Sequence, residues 1–150
     1  MEQRLNYPRL APEATRAMTA LGSYLATCGL EHPLLELVKI RASQMNGCSF
    51  CIDMHTKDAR AGGETEQRIY ALPAWRETPF FTSRERAALA LTESVTLMPQ
   101  THVPDADFAQ AAEQFSADEV GALVALIVTI NAWNAIGVST RAWVPGSYQP

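Results

Sequence analysis

Charge is scarce in this 150-residue chain: Asp, Glu, Lys and Arg make up 19% of it, against roughly 25% in an ordinary soluble domain. With apolar residues at 47%, that shortage implies that some surface is hidden against copies of the same chain. A basic excess is absent. The net charge of −4 excludes a general nucleic-acid binder, which would carry a basic stripe, and it does not suit an anionic membrane surface. The opening stretch MEQRLNYPRLAPEA has no apolar run and carries an acid at Glu2, so no secretory signal is read there. Cysteine is rare and odd in number, three in all. That argues against a secreted disulfide framework and for a reducing, cytoplasmic compartment. The alternating pattern of a sheet is missing, as are internal repeats and low-complexity tracts. The expected fold class is therefore all-α, a bundle of about six or seven helices in a single domain over 1–150. A chain of this length buries roughly 70% of its unfolded surface and needs no staples.

What is present is helical punctuation. Ala14, Met18, Leu21 and Leu25 recur at helical spacing over 11–27, before Gly29. A second helix over 33–45 opens with Pro33 and is broken by Asn46-Gly47. A third covers 48–61 up to Gly62-Gly63, and a short fourth spans 64–71. The segment from Pro73 to Phe81 reads as an ordered loop. Thr82-x-x-Glu85 and Ser116-x-x-Glu119 are capping boxes that launch two further helices, and a shorter one fits 104–114. The Val120–Val138 stretch approaches the length of a membrane span. Thr129, Asn131 and Asn134 interrupt it, so it is read as a helix buried at the centre of a bundle or subunit interface, not in a membrane. Pro145-Gly146 begins a polar tail.

The chemistry concentrates at Gly-Cys-Ser-Phe-Cys-Ile-Asp-Met-His, residues 47–55. At about 100° per residue, Cys48, Cys51 and His55 fall within roughly 60° on one helix face. Gly47 puts Cys48 in the expected first turn, where unpaired N–H groups and the helix dipole favour a thiolate. Two antiparallel helices joined at Asn46-Gly47 bring Glu36 back beside His55. Flanked by leucines and valine, the Glu36 carboxyl is expected to have a raised pKa suited to proton transfer. Blander readings exist for each group. Cys48 and Cys51 fit inert core positions or, with His55 and Glu36, a zinc clip. Cys28 reads as a buried structural thiol, and His32 and His102 receive no role. Trp75, Phe80 and Phe81 read as subunit packing in preference to a substrate mouth. Asn131, Asn134 and Trp133 read as bundle partners in preference to groups facing a neighbouring subunit's site. Lys57, Asp58 and Arg60 read as a solvated or ion-paired face.

The pattern Glu36-x11-Cys48-x2-Cys51-x3-His55 resembles the signature of the alkyl hydroperoxidase D family, within the carboxymuconolactone decarboxylase superfamily. The resemblance continues through Lys57-Asp58-Ala59-Arg60, the Gly63-Glu64-Thr65 that follows, and the helix holding Ala87 to Glu93; it covers about residues 20–98. It implies an all-helical fold, trimers or hexamers, and thiol-dependent peroxidase activity. One cysteine is oxidised by peroxide, the other closes a disulfide, and Glu36 and His55 relay protons. A dithiol donor, lipoyl-bearing or thioredoxin-like, restores the pair, and no cofactor is implied. Phe50 stands where well-known members carry histidine. Helix-end electrostatics favour Cys48 as the more acidic thiol, whereas the resemblance favours Cys51 as the one that meets peroxide. Two other readings compete: a lactone decarboxylase, whose relatives lack the paired cysteines, and a redox-sensing or zinc-binding module.

Overall fold

The computed structural model describes residues 2–150. Among the described residues the chain forms nine α-helices and no strand: α1 (Tyr7–Leu10), α2 (Pro12–Leu25), α3 (His32–Asn46), α4 (Ser49–Ala61), α5 (Glu66–Ala71), α6 (Ser83–Thr96), α7 (Met98–Thr101), α8 (Asp105–Gln114) and α9 (Ala117–Thr140). The count exceeds the expected six or seven because α1 and α7 are single turns, too short for apolar periodicity to register. The segment read as an ordered loop begins as a 3-10 turn over Leu72–Glu77.

Local chemistry sets the boundaries. Both capping boxes form: the hydroxyls of Thr82 and Ser116 accept the N–H groups of Glu85 and Glu119, and those carboxylates accept the cap N–H in return. Gly47 ends α3 at φ +66, a left-handed conformation that favours a residue without Cβ. The chain reverses there, and α4 packs back along α3.

Helix α3 is buried on two sides. Leu34, Leu35 and Val38 join a core with Leu91, Leu123 and Ile127. Leu37 and Ile40 join a second core with Ala59, Leu72, Trp75 and Phe81. Trp75 and Phe81 therefore pack inside their own chain, a correction to the expected subunit contact, while Phe80 is exposed. Helix α9 is long and apolar enough to cross a membrane by composition, yet it packs against α2, α3, α4, α6 and α8. Its amides are satisfied across the bundle. The Asn134 amide donates to Ser43 Oγ at 3.0 Å, and Asn46 donates to Asn131 at 2.6 Å and to Asn134 at 3.0 Å. Arg141, at φ 51, ends α9. From there residues 141–150 run back over α4.

Candidate active site

The αL turn at Gly47 moves the thiols one step from their expected place. Cys48 is the N-cap of α4, extended at φ −81 and ψ 92, and Ser49 is the first helical residue. Cys51, not Cys48, thus lies in the first turn, among the N–H groups that α4 leaves unpaired. The positive end of the helix still favours a thiolate at both positions. The two residues are joined by a disulfide across a Cα–Cα distance of 5.4 Å. Both are buried, with exposures of 2% for Cys48 and 4% for Cys51.

One turn beyond Cys51, His55 turns its Nδ1 to Glu36 Oε2 at 2.9 Å. The helical hairpin thus brings the carboxylate and the imidazole together as its geometry predicts. Lys39, one turn along α3, donates from Nζ to Glu36 Oε1 at 2.7 Å. Glu36 itself is only 2% exposed. Burial pushes its pKa up, but the hydrogen bond and charge of His55, followed by those of Lys39, outweigh it and hold the carboxyl below 4.5. The expected upward shift is therefore reversed. The leucines and valine beside Glu36 in sequence point around the helix, while Lys39 and His55 face it.

A cavity of about 360 Å³ lies against this hairpin, and both Cys51 and His55 line it. Apolar and aromatic groups form most of the rest, among them Phe50, Met54, Trp133 and Trp143. Cys48 is not among the residues that line it. A Cβ placed on Gly137 of α9 would stand 3.2 Å from Cys48 Sγ and 4.0 Å from Cys51 Sγ. Glycine therefore lets α9 approach the sulfurs. Trp143 stacks on Phe50 with centroids 5.8 Å apart at 25°, and Trp133 meets Trp143 edge-on at 5.8 Å and 74°.

The outer face of α4 is not simply solvated. Lys57 pairs with Asp53 at 2.9 Å, and Arg60 pairs with Glu66 at 2.6 Å. Asp53, Lys57 and Asp58 also hold residues 146–148. Asp58 accepts from the Tyr148 hydroxyl at 2.7 Å. That bond, with burial and the Asp58 charge behind it, pushes the Tyr148 pKa up to about 12. Glu36, His55 and Asp58 present ligand atoms within 4.8 Å of one another, a spacing a cation would accept. Lys39 and Tyr148 already donate to two of those carboxylates, so these donors are satisfied by the chain itself. The cysteine sulfurs that a zinc clip would need are engaged with each other. His32 Nε2 lies 4.0 Å from Glu36 Oε1, at the exposed start of α3. Cys28 is a free, half-buried thiol packed against the first core.

Lys39, Gly137 and Trp143 were not singled out by the sequence reading. Lys39 carried a signal, since it stands three residues after Glu36 on the same helix face. Trp143 carried only its oddity, a tryptophan between the long apolar helix and the polar tail. Gly137 offered no signal beyond being a glycine within a long apolar helix.

The sequence profile of the Carboxymuconolactone decarboxylase family matches residues 12–94. The chain belongs to this family. Within it the chain is AhpD-like. It is 42% identical to a crystal structure of a protein of unknown function from Agrobacterium tumefaciens, described as a candidate AhpD antioxidant defence protein. That match has a TM-score of 0.92 and covers 96% of this chain and 99% of the other. The uncharacterized protein YdfG of Bacillus subtilis is 46% identical over 139 residues, 93% of this chain and 95% of that one. The debrominase Bmp8 shares the fold at 18% identity, with a TM-score of 0.80 over 90% of this chain and 73% of the other. The stretch matched to the Carboxymuconolactone decarboxylase family holds Glu36, Cys48, Cys51 and His55. Gly137, Trp133 and Trp143 lie beyond it.

Proposed function

We propose that this AhpD-like protein is a thiol-dependent peroxidase acting on organic hydroperoxides. One observation carries the reading: Cys51 and His55 line the same apolar cavity, and His55 is held by the buried, ionised Glu36. The thiolate of Cys51 attacks the outer oxygen of ROOH. The O–O bond breaks, the alkoxide takes a proton from the His55–Glu36 couple and leaves as ROH, and Cys51 becomes a sulfenic acid. Cys48 then attacks the Cys51 sulfur, the disulfide forms, and water departs with the remaining proton. The balance is two thiols and ROOH to one disulfide, ROH and water. The lining by Cys51 and the seat of Cys48 against Gly137 favour Cys51 as the peroxide-reacting thiol and Cys48 as the resolving one.

A dithiol donor, lipoyl-bearing or thioredoxin-like, returns the pair to thiols by exchange. The scarcity of charge and exposed apolar groups such as Tyr24, Met98 and Val128 support a homo-oligomer, a trimer or hexamer, and the low, odd cysteine count supports a cytoplasmic one. The decisive assay is dithiol consumption driven by cumene hydroperoxide. Turnover that stops in Cys51→Ser supports the proposal, and the absence of peroxide-dependent consumption in the intact protein overturns it.

The aromatic wall favours a second reading, reductive removal of a halogen. A dithiol and an aryl bromide would give the disulfide, the arene, bromide and a proton. A related crystal structure holds a debrominase variant with 2,3,4-tribromopyrrole. Bromide release from that compound by the reduced protein, without peroxide turnover, would select this reading.

A further inference from the structure

Trp143 is the lining residue that comes from outside the helices. The other walls of the cavity are side chains of α2, α3, α4 and α9. The indole covers Phe50, which stands between the two cysteines, and touches Trp133 with its edge. It also reaches the α9 surface that faces the sulfurs: a Cβ on Gly137 would lie 4.0 Å from the Trp143 ring. Three contacts tie the following residues to the outer face of α4. The Gly146 N–H donates to Asp53 Oδ2 at 2.9 Å, Lys57 Nζ donates to the Tyr148 carbonyl at 2.9 Å, and the Tyr148 hydroxyl donates to Asp58 Oδ1 at 2.7 Å. None of these anchoring side chains lines the cavity. What they hold in place is the segment that carries Trp143.

We propose that Trp143 is a specificity-determining residue, a wall that selects reactants bearing a flat or branched apolar group of limited size, with Asp53, Lys57 and Tyr148 as its positioning residues. This deepens the peroxidase reading and rests on its placement of Cys51 in the reactant cavity. The class it names is a hydroperoxide on an aromatic or branched hydrocarbon. Three aromatic rings offer stacked and edge-on contacts to such a group. The polar side chains of the lining are few, and Lys39 among them is committed to Glu36. Hydrogen peroxide would leave most of the apolar space without a partner, whereas an apolar group removes that surface from water.

The test is size-graded alkylation of the fully reduced protein, read at each cysteine by mass spectrometry, with iodoacetamide as the small probe and N-(1-pyrenyl)maleimide as the bulky one. Cys28, outside the cavity, reports general loosening. In Trp143→Ala the bulky probe should react at Cys51 at least about tenfold faster, while the small probe changes by less than about threefold. Trp143→Phe should stay near the parent. Tyr148→Phe, which removes one anchor and leaves the indole, should shift the same ratio in the same direction by less. An unchanged ratio, equal acceleration of both probes, or matching acceleration at Cys28 overturns the proposal. Should Trp143→Ala fail to fold, an unchanged ratio in Tyr148→Phe overturns it alone. No peroxide enters this experiment, so its failure is distinct from a failure of the peroxidase reading.

Discussion

The two walls of the cavity are assembled in opposite ways. The wall proposed to react comes from one helical hairpin, Glu36 to His55, within the stretch that matches the Carboxymuconolactone decarboxylase family. The aromatic wall gathers Phe50, Trp133 and Trp143 from distant parts of the chain, and two of the three lie outside that stretch. The reactive groups are set by a turn and a helical repeat, so their spacing is constrained by geometry. The aromatic wall is set by where α9 ends and how residues 141–150 return.

The comparison breaks first at the sulfurs. Cys51→Ser and Cys48→Ser should each abolish peroxide-driven disulfide formation, read as dithiol consumption, while aromatic-wall variants should redirect turnover and leave it present. Glu36→Gln should slow turnover by about 10²–10⁴. The buried amide is a poorer partner for His55 and Lys39, and a stability loss of about 1–3 kcal/mol is expected in denaturant unfolding. On the other side, Gly137→Ala places a methyl 3.2 Å from Cys48 Sγ. Crowding there should destabilise the disulfide form by about 1 kcal/mol, seen as a lower unfolding midpoint; an unchanged midpoint would show that α9 and the sulfur yield freely.

Acidity sharpens the same contrast. The Glu36 carboxyl lies below 4.5 in the folded protein. Its pairing therefore contributes stability that is fully present above 4.5 and lost as the pH falls through the lower folded value. Unfolding temperatures of the parent and Glu36→Gln should converge as the pH falls below 4.5. The smallest effect belongs to the tail. The Tyr148 pKa is raised from 10.0 to about 12, so its contact contributes stability below pH 10.0 and loses it as the pH rises through about 12. The phenolate absorbance lost in Tyr148→Phe should titrate well above 10; titration near 10 would show that the Asp58 bond does not form.

Legibility in the sequence follows the same division. The capping boxes at Thr82 and Ser116 and the hairpin pairing of Glu36 with His55 are local, and residue spacing reveals them. The placement of Cys48 was missed by one step because the left-handed Gly47 takes a residue out of the helix before α4 begins. The direction of the Glu36 pKa is not legible in the sequence because the neighbours of Glu36 in sequence are not its neighbours in space. Leu35 and Leu37 turn into the two cores, whereas Lys39 and His55 meet the carboxylate. The role of Trp143 is not legible for a different reason: no periodicity links the segment after α9 to a cavity it reaches only through the fold.

The central claim is that Cys51, served by His55 and Glu36, takes oxygen from a peroxide and closes on Cys48. The most direct measurement treats the reduced protein with one equivalent of cumene hydroperoxide and maps its thiols by mass. We expect loss of the Cys48 and Cys51 thiols together, an internal disulfide, an untouched Cys28, and in Cys48→Ser a sulfenic acid on Cys51 whose formation slows when Glu36 is replaced by Gln. Intact thiols at both positions after exposure, or the sulfenic acid appearing on Cys48 in Cys51→Ser at the parental rate, would contradict it.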